Sequence, residues 1–512
     1  TAQGYRALFS NTTASYNTAV GYQSLYANTT GIGNNALGYQ ALKTNTTANY
    51  NTAFGHVALS LNVTGTENTA VGSQAMYNNT GNNNTAMGGT ALYANTSGAN
   101  NVAMGVQALR YNTTASYNTA VGYQASRDNT TGQQNVFVGG FSGADNTTGT
   151  LNTGIGYSAL GANSVDQTGS YNTALGGFAL QNNTTAAANT AVGYQALTTN
   201  TTGGDNAAFG YQAAQSNTTG DYLTAIGRQA LYNNTTGIDN TAVGYQAGYS
   251  NTTNSYNTYL GDHAGYYTTS TRNTFLGHAS GESMTTGERN TILGRFSGNL
   301  GGLDIRTSSN NIVLSDGDGN PRMLVDSSGS VECFMNANNN PTIRVKNTSG
   351  SYGSVGIMSD ISRTSTGGNY YHIAAYDRAA GAYRFQVHDD GDVVNVNNSY
   401  GSLSDVKLKE NIIDASSQWD DIKALTVRKY SMRVDNLDTP NMLGVIAQEV
   451  EAAGMSGLVK ETVDRDGEGA LLDTVTKQVN YSILYMKAVK ALQEAMDRIE
   501  ALETKVTALE GA

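Results

Sequence analysis

Apolar and polar residues alternate along the first 300 residues in a unit that repeats about every 17 residues. The unit reads N-T-A-φ-G-Y-Q-A-L, where φ is a large apolar residue, and a polar N-T-T-G stretch follows it. A sustained period of this length indicates a repeat architecture in which neighbouring units stack. The central glycines of the eighteen units are Gly4, Gly21, Gly38, Gly55, Gly72, Gly88, Gly105, Gly122, Gly139, Gly156, Gly176, Gly193, Gly210, Gly227, Gly244, Gly261, Gly277 and Gly294.

The unit is too short for a helical hairpin, and its alternation and turn residues favour β-structure. We predict that each repeat forms one coil of a β-solenoid, with two short strands joined by turns. At the strand spacing of about 4.8 Å, eighteen coils would make a shaft on the order of 85 Å long.

Two positions of the unit are nearly invariant in character. The φ residue before each glycine, from Val20 to Leu293, is never polar, so we predict that it is interior. An asparagine stands four residues before each glycine from the second onward, except at Leu223, which predicts a ladder of side-chain amides between coils. Small Ala and Gly residues would leave a face that another backbone could approach, so lateral association would complete the core.

The N-T-A-φ-G units resemble the coils of trimeric autotransporter adhesin heads, and similar repeats occur in phage fibres. The resemblance covers over half of the chain and implies three chains lying side by side as parallel β-rolls. Adhesin-head coils are shorter than 17 residues, so the resemblance does not fix the cross-section of the shaft. The alternative arrangement is a β-helix in which three chains are interwound.

Other interpretations of the repeats are weaker. The calcium-binding pattern G-G-x-G-x-D is absent and Asp is scarce, which argues against metal coordination by the coils. Ranks of Thr on a flat face could order water, as in ice-binding solenoids. The N-x-T triplets have the pattern of glycosylation acceptors, but we interpret them as turn residues.

Composition narrows the class of protein. The chain has 60 Gly, 3 Pro, 13% charged residues and a net charge of −11, and its basic residues are scattered along the repeats. No basic stripe could follow a phosphate backbone, and no apolar run approaches the roughly 20 residues of a membrane span. We therefore expect neither nucleic acid binding nor membrane insertion. Because the chain opens in the middle of a repeat, we expect it to be a fragment.

The period stops after residue 300, and we divide the rest of the chain by its pattern. Residues 301–330 alternate short apolar runs with D-G and S-G turns, which predicts a β-connector. Residues 331–403 are predicted to form a β-rich tip and a candidate receptor-binding region. Their aromatic residues, which beside polar groups could hold a sugar, are Tyr370, Tyr371, His372, Tyr376 and Tyr383. The alternative is that these rings pack a small β-domain; no metal site or cofactor is predicted.

Residues 404–512 carry more charge and show helical spacing. The segment S-D-V-K-L-K-E-N-I at 404–412, L-G-V-I-A-Q-E-V-E at 443–451 and V-N-Y-S at 479–482 resemble the auto-processing intramolecular chaperone domain of tail fibres, tailspikes and endosialidases. The resemblance implies that Ser404 and Lys409 form a catalytic dyad that cuts the bond after Leu403. A lysine that accepts a serine proton must be neutral, so burial must lower its pKa. Ser402 and Lys407 are neighbours with the same chemistry.

The last residues, from about 485, have a heptad pattern that predicts a coiled coil. Its two apolar positions hold Leu492, Ile499 and Val506, and Ala495, Leu502 and Leu509. We thus predict a mainly β fold: a trimeric β-solenoid shaft at 1–300, the connector, the tip, and an α+β chaperone domain.

The functional interpretation is a homotrimeric virion tail fibre that binds a glycan or protein receptor on a host surface, and whose chaperone acts once as a self-cleaving peptidase. A bacterial surface adhesin of the same modules is the alternative. A depolymerase tailspike is disfavoured because the shaft carboxylates, such as Asp128, Asp205 and Asp262, are isolated.

Overall fold

The computed structural model describes residues 1–161, 165–334, 371–377, 382–388, 393–395, 412–430, 442–465 and 471–511. The chain divides into two compact units, Thr1–Ile343 and Arg344–Ala512, and each is described by itself.

The first unit is a parallel β-solenoid in which each repeat contributes one strand. The strands β1–β18 are Ala2–Gln3, Thr18–Val20, Asn35–Leu37, Thr52–Phe54, Thr69–Val71, Thr85–Met87, Val102–Met104, Thr119–Val121, Val136–Val138, Thr153–Ile155, Thr173–Leu175, Thr190–Val192, Ala207–Phe209, Thr224–Ile226, Thr241–Val243, Thr258–Leu260, Thr274–Leu276 and Thr291–Leu293. The prediction of a β-solenoid of 17-residue coils is confirmed. The prediction of two strands in each coil is wrong, because the rest of the coil is a chain of turns.

Neighbouring strands pair in parallel with identical repeat positions opposite each other, as in Ala19 with Ala36. The register survives a 16-residue step, where Thr69 pairs with Thr85, and the 20-residue step, where Thr153 pairs with Thr173. Length variation is therefore absorbed in the turns, and the sheet continues without a slip.

Backbone hydrogen bonds join the coils in the turns as well as in the sheet. The Gln40 N–H donates to the Tyr22 carbonyl at 2.8 Å, and the Leu25 N–H donates to the Ala41 carbonyl at 3.0 Å. Both Gln40 and Leu25 have positive φ, at 52° and 48°. Left-handed residues reverse the direction of the chain within the turn, and inter-coil hydrogen bonds offset the strain they carry.

The interior of each coil is small. In the second repeat, the central strand residue Ala19 and the turn residue Leu25 are fully buried. The residue before the glycine points the other way, and Leu37, for example, is 51% exposed in the single chain. The prediction that this φ position is interior is therefore wrong for the single coil. The physical reason is strand alternation: with Ala inside, both of its neighbours in a three-residue strand must face outward.

The repeat glycines are required by the stacking itself. At Gly122, φ is +138°, and a Cβ would lie 2.4 Å from the carbonyl oxygen of Gly139 in the next coil. A side chain would be strained by the backbone conformation and would collide with backbone that has no room to move. The backbone that approaches closely at these glycines is thus the next coil of the same chain.

Two asparagine ladders run through the shaft. The predicted one is confirmed: the Asn34 backbone N–H donates to Asn17 Oδ1 at 2.8 Å, and Asn34 Nδ2 donates to the Ala48 carbonyl at 2.8 Å. A second ladder lies in the N-T-T-G stretches, where Asn45 Nδ2 donates to Asn28 Oδ1 at 2.9 Å. Asn28 and Asn45 are fully buried, so these sequons hold interior amides and not glycosylation sites.

Large interior residues are matched by glycines. Where Tyr259 takes the usual alanine position, glycines replace leucine on both sides of its ring: a Cβ on Gly248 or on Gly265 would lie 2.6 Å or 2.4 Å from ring atoms. Phe137 faces Gly143 in the same way. The coil interior therefore holds a nearly constant volume, as close packing requires.

The parallel sheet continues past the last repeat and then changes direction. The short pair β19 (Asn299–Leu300) and β20 (Leu303–Asp304) precedes β21 (Ile312–Ser315), which pairs in parallel with β18. The strands β22 (Pro321–Val325) and β23 (Val331–Cys333) then add antiparallel.

The second unit contains small antiparallel sheets and helices. One sheet holds β24 (Tyr371–Asp377), β25 (Ala382–His388) and β26 (Val393–Asn395). Further along lie α1 (Trp419–Ala424), β27 (Arg428–Tyr430) with β28 (Met442–Gly444), α2 (Ala447–Ala452), a 3₁₀ turn (Ser456–Leu458), β29 (Val459–Arg465) with β30 (Leu471–Val479), and α3 (Tyr481–Glu510). A small core lies among the elements from α1 to α3 and contains Val445, Val450, Met455, Leu458 and Leu484.

Candidate functional sites

Polar contacts fasten helix α1 and the residues before it to the long helix α3. The Lys487 ammonium donates to Asp421 Oδ2 at 2.6 Å and also to the Gln418 side chain. About two turns further along α3, Glu494 accepts the Ser417 hydroxyl at 2.7 Å and the Gln418 backbone N–H at 3.0 Å. We call this arrangement the α1–α3 clamp.

An aromatic contact continues the clamp. The guanidinium of Arg498 lies 4.4 Å from the centre of the Trp419 ring, within the range of a cation–π interaction. The α1–α3 clamp lies shortly after Ser404 and Lys409 in the chain, so it anchors the segment that follows the predicted dyad. Sequence reasoning missed it, because its partners are more than sixty residues apart.

The lysine of strand β30 is held in its charged form. Lys477 Nζ lies 2.7 Å from Glu451 and 2.9 Å from Glu461. Hydrogen bonds to Glu451 and then to Glu461 raise the pKa of Lys477. A general base must be neutral, so Lys477 does not have the properties that a serine-activating lysine requires.

Helix α3 carries an uncovered apolar stripe. Of the predicted heptad residues, Leu492, Ile499, Leu502, Val506 and Leu509 are at least half exposed in the single chain. Ile499, Leu502 and Val506 line a shallow open groove. A helix of this length with one apolar face is stabilised when another helix covers that face.

The structure describes some of the predicted site residues and not others. Ser404, Lys409 and Tyr370 lie outside the described residues. Tyr371, His372 and Tyr376 lie on β24 and Tyr383 lies on β25. The strand register pairs Tyr376 with Tyr383. The backbone thus brings these two tyrosines together, and their role in binding stays a prediction.

The threonine ranks of the shaft do not form a paired array. In most coils the first Thr of the N-T-T-G stretch is engaged between coils, as Thr29 Oγ1 donates to the Thr46 carbonyl at 3.1 Å. Most strands begin with an outward Thr, which is followed on the same face by an apolar residue and not by a second Thr, as in Thr52 and Phe54. This spacing gives a single Thr rank on the sheet face and disfavours the ice-binding interpretation.

Within the residues that the structure describes, no group of three or more His, Cys, Asp or Glu side chains could hold a metal ion. Among the described helices, none is both long and apolar enough to cross a membrane.

The fold defines a β-solenoid repeat protein whose C-terminal unit combines helices with small antiparallel sheets. Residues 404–460 match the peptidase S74 family, described as the chaperone of endosialidase. Together, this match and the solenoid of 17-residue coils fit a tail fibre of the endosialidase type. The family implies trimer formation and a self-cleaving peptidase activity. No curated protein and no solved structure shows significant similarity to the chain.

Proposed function

We propose that this chain is a trimeric fibre protein for attachment to a host surface, and that its C-terminal chaperone releases itself by cutting between Leu403 and Ser404. The observation that carries the proposal is the family match, which begins at residue 404. In the sequence, Ser404 thus stands at the first matched residue, with Lys409 five residues later.

The chemistry is an attack by Ser404 on the peptide bond that precedes it. Lys409 accepts the hydroxyl proton while Oγ bonds to the Leu403 carbonyl carbon. The amide nitrogen of Ser404 leaves with a proton and an ester links the two parts. Water then hydrolyses the ester, which yields the Leu403 carboxylate and a free Ser404 amine and restores the hydroxyl.

Assembly would control this reaction through the charge of the lysine. In an unassembled chain the Lys409 amine is hydrated and protonated, and therefore inert as a base. Packing of three chains would remove water from the amine and lower its pKa. The α1–α3 clamp supports this coupling, because it ties the segment after Lys409 to α3, whose apolar stripe would lie between the chains.

The attachment role rests on the tip at residues 331–403, which would display Tyr370, Tyr371, His372, Tyr376 and Tyr383 to a glycan or protein receptor. A bacterial surface adhesin would use the same modules. The two differ in what precedes the shaft in the full-length protein: a virion-attachment domain or a secretion signal.

Denaturing mass spectrometry of the purified full chain tests the cleavage. The wild type should yield fragments 1–403 and 404–512, whereas Ser404→Ala and Lys409→Met should remain intact. Ser402→Ala and Lys407→Met are matched controls and should still be cut. Cleavage that persists in Ser404→Ala, or that stops in Ser402→Ala, would refute the dyad. Sedimentation of Ser404→Ala measures assembly separately, and a monomer would contradict the trimer.

A further inference from the structure

The outer face of the shaft sheet carries two ranks of residues. One rank is the Thr position that begins most strands, and the other is the φ position before each glycine. We call this surface the T-φ face. The larger φ residues are all more than a third exposed in the single chain, among them Leu37, Phe54, Met87, Ile226, Leu260 and Leu293.

The T-φ face contains no charged residue in any coil from β2 to β18. Seventeen such strands at a spacing of about 4.8 Å make it about 80 Å long, and at a width of roughly 10 Å it covers about 800 Å². One partner of a stable protein interface buries an area of this size. About half of this area, on the order of 400 Å², belongs to the apolar φ rank, and continuous apolar patches of more than a few hundred Å² are rarely left open to water.

Tyrosine is the most frequent residue along both borders of the T-φ face, and charged residues such as Asp205, Asp239 and Arg272 occupy other border positions. Two residues before the Thr rank, Tyr117, Tyr171 and Tyr222 are about 60% exposed. Two residues after the φ rank, Tyr123 and Tyr157 are about half exposed. An apolar centre with a border rich in tyrosines, each with an apolar ring and a polar hydroxyl, is the composition of a protein interface.

We infer that the T-φ face is the surface along which the shafts of the trimer pack, with each coil facing the same coil of the other two chains. The inference rests on the proposed trimer. The occupant is a second copy of this chain, because a partner must present an uncharged apolar strip about 80 Å long with a step of about 4.8 Å. The chain itself carries that strip, and a parallel arrangement brings identical ranks together.

Cysteine accessibility tests the inference within one coil. In a Cys333→Ser background, which removes the chain's only thiol, Ile226→Cys places a thiol on the T-φ face and Thr236→Cys places one on the exposed N-T-T-G turn. Both positions are exposed in the single chain, and Ile226 is 41% exposed. In the native trimer, Ile226→Cys should react with a maleimide about a hundredfold more slowly than Thr236→Cys, and the two rates should be equal in denaturant.

The outcomes separate this inference from the proposed function. Equal labelling of the two variants in a chain that sediments as a trimer would overturn the T-φ interface and leave the trimer standing. A monomer with both thiols reactive would overturn both the T-φ interface and the trimer. Thermal hysteresis in solutions of that monomer would indicate that the T-φ face binds ice. Protection of Ile226→Cys in a monomer would also overturn the inference, because the chain would then cover its own face.

Discussion

Asn118 provides a direct test of what holds the coils together. Its Oδ1 accepts the backbone N–H of Asn135 at 2.9 Å, and its Nδ2 donates to the Gly132 carbonyl at 2.9 Å. The side chain is 1% exposed. The substitution Asn118→Ala therefore leaves one buried donor and one buried acceptor without a partner, and it opens a small cavity between two coils.

The cost follows from the number of groups left unpaired. Each buried backbone group that loses its hydrogen bond costs about 1–3 kcal/mol, so the two together cost about 2–6 kcal/mol. In a solenoid, stability is the sum of contributions from neighbouring coils, and the loss should be local. The free energy of opening should fall for the coils around residues 118 and 135, whereas distant coils should keep theirs.

Native-state hydrogen exchange measures this local opening. The Gly139 amide is the reporter, because its own bond to the Val121 carbonyl, at 2.7 Å, is unchanged by the substitution. Its exchange should become at least about 30-fold faster in Asn118→Ala, as a loss of about 2 kcal/mol requires. Thr131→Ala, at an exposed position of the same turn region, is the control. Exchange at Gly139 equal in both variants would refute the view that the Asn amides stabilise the stack.

Three further predictions follow from other positions. Gly122→Ala should cost more than about 3 kcal/mol by thermal unfolding, whereas Gly177→Ala, whose Cβ would make ordinary contacts with the Tyr194 ring at 3.5 Å and the Tyr157 carbonyl oxygen at 3.9 Å, should cost almost nothing; equal melting points would contradict the stacking constraint. Burial raises the pKa of Tyr259 above its usual 10.0, so above pH 10 the unfolded chain releases a proton that the folded chain keeps. Stability should fall by about 1.4 kcal/mol per pH unit there, and less steeply in Tyr259→Phe; identical slopes would argue against it. Lys487→Met should slow self-cleavage in a time course on denaturing gels while the helix content stays unchanged, and an unaltered rate would remove the clamp from the mechanism.

The period of the repeat predicted the solenoid because stacking imposes the same environment on every seventeenth residue. It could not assign inside and outside correctly, since Ala36 and Leu37 are both apolar and hydrophobicity favours the larger Leu37 as interior, whereas the structure buries Ala36. The deciding signal was Leu42, which lies in the turn and fills the interior that the strand leaves to Ala36. In a three-residue strand, hydrophobicity alone does not distinguish a core position from an interface position.

The C-terminal domain shows a different limit. Local motifs were sufficient for the resemblance, since the segments at 404–412 and 443–451 are continuous in the sequence and the family match covers both. The α1–α3 clamp joins Gln418 and Asp421 to residues of α3 far along the chain, and a salt bridge at that separation leaves no periodic trace. Contacts of this kind are specified by the packing of the whole domain and become visible only in the structure.

Two surfaces of the single chain are unlike those of a finished monomer: the T-φ face of the shaft and the apolar stripe of α3. A typical coil buries little more than two alanines and a leucine, so the inter-coil hydrogen bonds must supply much of the stability, and the proposed lateral contacts would add to it. The alignment of one chain against the next is also ambiguous, because the eighteen coils are nearly identical. A shift of one chain by one repeat would preserve nearly every local contact. The φ residues vary among Val, Leu, Met, Phe and Ile, and because they face outward this variation affects the register only when chains lie side by side. A chaperone domain that joins the chains before the shafts pack would fix that register first, which gives a physical reason for linking a trimerising domain to a repetitive shaft.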